Sequence, residues 1–220
     1  TNLDEVELFH DGTSLGKKSA GASKKITWEI KLRQGANSFA ARGTRNGRSI
    51  TDLGEITWSD PAAMTDIAVN AGSNAEYVHE TGSLWQADRA YAPGSWGFTR
   101  NSSKEASNLR NIFATEQDAV AQTAREGSFG YRFDVPDGEY EIELWFAELK
   151  NVKSGERVFD VSINGINTIS GLDLMNEVGP FTLLSRKFRV SVRDKSGITL
   201  DLQPVKGQPI ISGLRVHRSM

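Results

Sequence analysis

Three glutamates spaced two residues apart are the first residues in this sequence that could carry out catalysis. Glu139, Glu141 and Glu143 occupy alternate positions, so on a β-strand their neighbouring carboxyls would lie roughly 6.5–7 Å apart on one face. Carboxyl pairs at such separations act as acid and base in inverting glycosidases. Acids on an outward strand face are usually solvated, however, and lack the burial that raises one pKa. We therefore interpret them as a polar surface and assign no catalytic residue.

Two tryptophans offer a different chemistry, the stacking of an aromatic ring on a sugar. Trp85 and Trp96 lie in a stretch rich in Gly, Ser, Asp and Pro that lacks the alternation of a strand. An indole in a loop presents a flat apolar face and an N–H donor to a pyranose, but a large aromatic can equally plug the open end of a β-sandwich. Both interpretations stay open for each residue. Trp145 alternates with core-type residues, which favours packing over a binding platform.

Residue types exclude several other kinds of site. The chain has no cysteine, which removes disulfides, thiolate metal sites and cysteine nucleophiles. Its three histidines, His10, His79 and His217, are isolated along the sequence, so neither a zinc site nor a cofactor is expected. Calcium bound by loop acids such as Asp173 or Glu177 stays open, although no calcium-loop run of ligands is present.

Composition narrows the class of protein further. The chain has 220 residues, enough for one large domain or two small ones. Its 26 Lys and Arg against 28 Asp and Glu leave a formal charge of -2, which argues against a nucleic-acid partner. No apolar run approaches the roughly 18 residues that a membrane-spanning helix needs. A soluble globular protein without a membrane span is expected.

Alternating polar and apolar residues indicate the elements that would position such sites. Four alternating stretches are residues 25–32, 129–135, 140–146 and 159–163. Alternation is expected of half-buried strands, because successive side chains point to opposite faces, and Asn164-Gly165 is a strong hairpin signal. Residues 116–124 contain helix formers without a helical period, and we predict a turn running into a strand near 120–123. The predicted fold class is all-β, an antiparallel sandwich or barrel.

A domain boundary is expected near residues 59–65. This stretch contains Pro61 and small residues, and it lies between a strand that ends at Trp58 and one that starts near Ile67. Proline and small polar residues without alternation are typical of linkers. The sequence therefore predicts two domains.

The first domain, residues 1–60, shares a pattern with a known family. Residues 5–16 read EVELFHDGTSLG, and Trp28 and the segment QGANSFAA at 34–41 follow. This pattern resembles the immunoglobulin-like domain that follows the catalytic barrel in bacterial, β-galactosidase-like glycoside hydrolases of family two. A complete immunoglobulin sandwich needs about 100 residues and seven strands, so an N-terminally truncated domain is expected.

The second domain, residues 65–220, carries a longer and more specific motif. Residues 138–148 read GEYEIELWFAE, and residues 157–165 read RVFDVSING. In this order and spacing they resemble the malectin domain, a carbohydrate-binding β-sandwich of jelly-roll type. The resemblance implies a sugar site built from loops at one end of the sandwich. The substrate-binding residues expected on this basis are Trp85, Asp88, Tyr91, Trp96, Lys150 and Asn151.

Together the two resemblances imply a non-catalytic carbohydrate-binding module at the C-terminus of a secreted glycoside hydrolase. It would bind an oligosaccharide or polysaccharide, follow an upstream catalytic domain of the same chain, and be periplasmic or extracellular. Lys150 and Asn151 stand where animal members of the malectin family carry two adjacent aromatic residues. The alternative that the domains are structural spacers that have lost sugar binding therefore stays open. An independent glycosidase would rest only on the spaced glutamates.

Overall fold

In the structure, a computed structural model, nearly all of the regular secondary structure is β-strand. The structure describes residues 1–3, 5–33, 35–58, 65–80 and 82–219. The chain divides into two compact units, Thr1–Asp60 and Pro61–Met220. Most of the boundary expected from the sequence, residues 59–64, lies outside the described residues. The predicted all-β fold class is confirmed.

The first unit is one antiparallel sheet of four strands. Its strands are β1 (Glu5–His10), β2 (Thr13–Ser19), β3 (Gly35–Arg45) and β4 (Arg48–Trp58). They lie in the order β2-β1-β3-β4. The Asp11-Gly12 and Asn46-Gly47 pairs join neighbouring strands, and all four of these residues have positive φ, as the primed turns of two-residue hairpins require.

The alternating stretch 25–32 is not a strand, contrary to the prediction. Its apolar residues, such as Ile26 and Trp28, are partly buried while the residues between them are exposed, but the stretch pairs with no strand that the structure describes. Alternation records which side chains face an apolar surface, whereas a strand also needs a neighbour with free backbone groups. The segment therefore keeps the pattern without the pairing.

Among its described residues, the second unit has twelve strands and two one-turn helices. In chain order they are β5 (Asp66–Asn70), β6 (Tyr77–Val78), β7 (Leu84–Ala87), β8 (Trp96–Ser107), α1 (Asp118–Ala121), β9 (Thr123–Phe133), β10 (Gly138–Phe146), β11 (Val158–Ile163), β12 (Ile166–Leu172), α2 (Leu174–Glu177), β13 (Leu184–Val192), β14 (Ile198–Lys206), β15 (Ile210–Ile211) and β16 (Gly213–Arg218). Neither of these helices has the length and apolar character needed to span a bilayer.

Two sheets of the second unit share one apolar core. The first sheet has the order β13-β10-β16-β5-β7-β6, and the second has the order β12-β11-β14-β9-β15, with β8 also paired to β9. Phe129, Tyr131 and Phe133 of β9 belong to the same buried cluster as Tyr140 and Phe146 of β10. These residues alternate along their strands, as predicted, so their strands present one face to this core.

A smaller apolar cluster lies on the sheet that contains β5 and β10, on the face turned away from the main core. It consists of Ala68, Trp85, Val120 and Trp145, and Val120 comes from α1. The stretch 116–124 therefore differs from its prediction, because a one-turn helix precedes β9 where a turn running into a strand was expected. The helix is formed because Val120 covers the tryptophans, a contact that the local sequence does not reveal.

Candidate functional site

Three loops of the second unit meet at one end of the sandwich. The Phe113 amide, in the loop after β8, donates to the Phe181 carbonyl in the loop after α2 (2.8 Å), and the Leu183 amide donates back to the Phe113 carbonyl (2.9 Å). The Phe181 amide donates to the Glu148 carbonyl, just after β10 (3.0 Å). Backbone hydrogen bonds thus join the three loops. We call the region they form the loop end, and it comprises residues 108–113, 147–157 and 178–183.

A buried ionic cluster lies beneath the loop end. Arg157 is 4% exposed, its Nε donates to Glu148 Oε2 (2.6 Å), and its Nη2 lies 3.5 Å from Glu126 Oε1. Arg157 Nη1 donates to the Gln208 carbonyl, and Lys150 Nζ forms an ion pair with Glu126. Buried charges are stable only when they are paired and hydrogen-bonded, so these contacts hold the surrounding loops in one arrangement.

Glu126 is ionised in this cluster. Burial raises the pKa of its carboxyl, but the hydrogen bond from Lys150 and the charges of Arg157, Lys150 and Lys104 together lower it by more. The pKa therefore lies below the ordinary 4.5, and Glu126 is a carboxylate at neutral pH. This carboxylate holds the Lys150 ammonium at the loop end while the lysine side chain stays 44% exposed.

The outer surface of the loop end carries an aromatic ring and a cation. Phe113 is 66% exposed, and Leu109 in the same loop is 92% exposed. The Arg110 guanidinium lies 4.8 Å from the centroid of the Phe181 ring. Phe181 is buried, and its φ of 52° is unusual for a residue with a side chain. An exposed ring near charged N–H donors can contact both the apolar face and the hydroxyls of a sugar.

Two of the six predicted site residues lie at the loop end. Lys150 and Asn151 are both exposed in the loop after β10, and the side-chain amide of Asn108 donates to the Leu149 carbonyl beside them (3.0 Å). Sequence reasoning missed Phe113. The argument applied to the loop tryptophans, an aromatic residue outside any alternating pattern, applies to it equally and could have identified it.

Asp88 lies in a separate buried network. Its side chain is 1% exposed, and its Oδ2 accepts hydrogen bonds from Arg125 Nε (2.7 Å), the Gly72 amide (2.8 Å) and the Tyr131 hydroxyl (3.0 Å). The Arg125 guanidinium also lies 3.6 Å from the centroid of the Phe98 ring. Burial, and next the charge of Asp88, raise the pKa of Tyr131 well above its ordinary value, so its hydroxyl keeps the proton that it donates. The carboxylate of Asp88 therefore stabilises the sandwich by joining β9 to the segment after β5.

Trp85 packs in the small apolar cluster. It is 3% exposed, its ring centroid lies 4.5 Å from that of Trp145, and its Nε1 donates to Gln117 Oε1 (2.7 Å). Both the ring faces and the N–H donor are thus already engaged. Of the two interpretations left open by the sequence, this geometry supports packing. Trp145, at 8% exposed, packs as the sequence favoured.

Trp96 and Tyr91 lie toward the other end of the sandwich. Trp96 pairs with Phe133, the last residue of β9, whereas the loop end contacts that strand at Glu126. Seven residues of strand separate those two positions by about 23 Å. Trp96 is 2% exposed, and the Tyr91 hydroxyl donates to Asp134 (2.6 Å). The structure therefore does not bring the six predicted residues together.

The three spaced glutamates are paired with polar side chains of the neighbouring strand β13 on the protein surface. Glu141 accepts a hydrogen bond from Lys187 Nζ (3.0 Å), and that bond and charge lower the pKa of its carboxyl. Glu143 accepts from Trp145 Nε1 (2.9 Å) and from Ser185 (2.8 Å). A general acid needs a raised pKa, so these contacts support the interpretation of a polar surface.

The loop acids considered for calcium have other partners. Asp173 caps α2 by accepting hydrogen bonds from the amides of Met175 and Asn176, and Glu177 pairs with Arg186. Within the described ranges, no group of three His, Asp or Glu side chains is placed to hold a metal ion.

Two grooves flank the tryptophan cluster on the sheet face. One, of about 330 Å³, is bordered by Trp85, Asp66 and Arg215. The other, of about 700 Å³, is bordered by Trp145 and Glu143 among others. Both indoles are nearly buried, so the grooves present little aromatic surface to a ligand.

Family comparisons assign most of the chain to a known domain. The malectin domain matches residues 65–214, and a domain of unknown function (DUF4982) matches residues 1–51. Malectin-B of Xenopus laevis is 37% identical over 83 residues, which cover 36% of this chain and 29% of that protein. Malectin of Mus musculus is 32% identical over 130 residues, covering 57% of this chain and 43% of that protein. The chain thus spans less than half the length of each of these relatives.

Solved structures give the same fold. The β-glucuronidase of Bacteroides uniformis aligns with 100% of this chain at 31% identity and a TM-score of 0.66, and the chain covers 27% of that enzyme. The ANX1 ectodomain of Arabidopsis thaliana aligns with 82% of this chain, covering 48% of that ectodomain, at 14% identity and a TM-score of 0.57, a likeness of fold alone. The family match over residues 65–214 confirms the malectin resemblance. The chain belongs to the malectin-domain family.

Proposed function

We propose that this chain is a non-catalytic carbohydrate-binding module of a larger, secreted bacterial glycoside hydrolase. The observation that carries the proposal is the loop end, where an exposed phenylalanine, two exposed cations and an exposed asparagine lie on two of the three joined loops. Membership of the malectin-domain family supports it, as does the alignment of all of this chain with 27% of a β-glucuronidase. The module would position an upstream catalytic domain on glycans in the periplasm or outside the cell.

Sugar contact is assigned to residues that solvent reaches. The Phe113 ring would stack on the apolar face of a pyranose, while Lys150, Arg110 and Asn151 would donate hydrogen bonds to ring hydroxyls. The buried members of the predicted set, Asp88 and the two tryptophans, and also Tyr91, which is bonded to Asp134, would support the scaffold.

An open site of this kind should bind weakly. Millimolar to micromolar dissociation constants correspond to about -4 to -8 kcal/mol. A module tethered to an enzyme needs no more, because tethering raises the effective concentration of the catalytic domain at a bound polymer.

The test is a calorimetric titration with oligosaccharides that a glycan array selects. Phe113→Ala should weaken binding about threefold to tenfold, since one aromatic contact contributes about 0.5–1.5 kcal/mol. The matched control is Ile166→Ala, which removes a 69% exposed side chain at the β11–β12 hairpin, away from the loop end. Binding that survives Phe113→Ala undiminished would place the site elsewhere, with the groove beside Trp145 next to test.

A structural spacer is the second candidate. The burial of Trp85 and Trp96 favours it, because the aromatic residues expected to stack on sugar are engaged in packing. The hypothesis of a structural spacer would be supported if the array detected no binding to any glycan.

A further inference from the structure

The charges of the loop end are divided between a buried layer and an exposed layer. The carboxylates of Glu126 and Glu148 are 6% and 0% exposed. Arg157, buried between them, bonds both. Two of the side chains that reach solvent, Lys150 and Arg110, are cations. The part of the surface around them is therefore positive, although the whole chain has a formal charge of -2.

Lys104 adds a third exposed cation to this surface. It lies on β8 directly opposite Glu126 of β9, and residues paired across two strands present their side chains on the same side of the sheet. Glu105, the neighbouring acid, is paired with Arg125 and points to the other side, because successive side chains alternate. Four cations, including Arg157, thus stand against two carboxylates.

Arg110 is held in a suitable position for an anion. Its guanidinium lies over the Phe181 ring, which neutralises none of its charge and leaves its planar N–H donors free to form paired hydrogen bonds. Phe181 is fixed in turn by the hydrogen bond from its amide to the Glu148 carbonyl. A carboxylate or a sulfate accepts such charge-assisted hydrogen bonds at two oxygens at once.

Three further acids border the loop end. Asp118 accepts a hydrogen bond from the Ile112 amide (3.2 Å) and Asp173 accepts one from the Gly155 amide (2.6 Å), so backbone donors engage both carboxylates. The third acid lies in the loop after β10. Glu156 is exposed, but its Oε2 accepts a hydrogen bond from the Lys153 amide (2.8 Å). The Lys153 side chain, also exposed, contributes a compensating positive charge.

We propose that the loop end selects acidic glycans, whose uronic-acid carboxylate or sulfate ester is bound by Lys104, Arg110 and Lys150. This inference rests on the proposed carbohydrate-binding function and names the chemical class of its ligand. The Phe113 ring would hold the apolar face of the sugar while the cations bind its anionic substituent.

The experiment compares neutral and acidic glycans that share one backbone. A glycan array containing neutral, uronate and sulfated glycans first identifies the preferred backbone, and calorimetry then measures its neutral, carboxylated and sulfated forms. At least one acidic form should bind about tenfold more tightly than the neutral form, and this preference should shrink as salt screens the charges. The carboxylated and sulfated arms distinguish the two anionic groups.

Variants then locate the preference on the protein. Lys150→Gln and Arg110→Gln should each reduce affinity for the acidic form about threefold to tenfold more than affinity for the neutral form, because glutamine still donates a hydrogen bond to a hydroxyl but carries no charge. Lys195→Gln is the matched control, because it removes an exposed lysine from the β13–β14 turn at the other end of the sandwich. Circular dichroism would show that each variant is folded.

The outcomes separate this inference from the function on which it rests. Equal binding of neutral and acidic forms, or acidic binding that Lys195→Gln lowers as much as Lys150→Gln does, would overturn the inference and leave a carbohydrate-binding module. Absence of binding to every glycan on the array would overturn both.

Discussion

At the scale of single residues, Arg157 joins the loop after β10 to the structure beneath it. It bonds Glu148 in its own loop, lies within reach of Glu126 on β9, and donates to the Gln208 carbonyl before β15. Sequence reasoning placed Arg157 inside a family motif, but its role follows from the partners that folding brings to it.

Removing this side chain should destabilise the second unit strongly. Arg157→Met leaves the Glu148 carboxylate buried without its charged partner and leaves Glu126 with Lys150 alone. Breaking a buried ion pair in this way costs about 3–5 kcal/mol of unfolding free energy. Arg193→Met is the control, because Arg193 is 78% exposed and its pair with Glu139 is a surface pair, worth about 1 kcal/mol or less. Urea denaturation measures both. Similar losses for the two variants would show that the buried cluster contributes no special stability.

At the scale of elements, the sheet β13-β10-β16-β5-β7-β6 of the second unit packs on both of its faces. The inner face joins the main core, and the outer face carries the tryptophan cluster under α1. Packing there is tight, since a Cβ added at Gly213 would lie 3.0 Å from both the Trp85 ring and Val120. Such a cluster stabilises α1, which is too short to be helical by itself.

Trp85→Ala should therefore act on stability rather than on ligand contact. Removing a buried aromatic from a packed cluster costs about 3–5 kcal/mol of unfolding free energy. The midpoint of thermal unfolding should therefore fall, and the fluorescence of Trp145, which contacts the Trp85 ring, should change. Phe113→Ala, which removes a largely exposed ring, should cost less than about 1 kcal/mol. If Trp85→Ala left stability unchanged but abolished glycan binding, the ring would be a sugar platform after all.

At the scale of the whole molecule, the described part of the first unit ends its sheet in a long, exposed strand. β4 is eleven residues long, exposed along nearly all its length, and last in the order of its sheet. Leu53 on this strand is 76% exposed. Long, exposed edge strands with apolar side chains tend to pair with another chain.

We expect this edge to make the protein self-associate as its concentration rises. Leu53→Lys should reduce the association, because a lysine on an edge strand opposes strand-to-strand pairing. Sedimentation velocity over a range of concentrations measures it, and Leu109→Lys is the control because it adds the same charge at a 92% exposed loop position. The edge would be excluded as the cause if both variants associated like the original chain.

Much of the fold could be predicted from the sequence, whereas only part of the site could. The alternation of Phe129 and Tyr131 predicts β9, and Asn164-Gly165 predicts the hairpin that joins β11 to β12. Lys150 and Asn151 were predicted as site residues and do lie on the exposed surface of the loop end. Trp85 was left between two interpretations because its neighbours in sequence do not pack against it.

The sequence by itself determined the class of the protein: strands follow from local alternation, and the ordered motif identifies the malectin domain. Only the tertiary structure decided which aromatic residues remain available to a ligand. It buried Trp85 and Trp96 and left Phe113 exposed. The physical reason is that alternation is a pattern of residues two apart in the chain, whereas the burial of a side chain depends on contacts between segments far apart in the sequence.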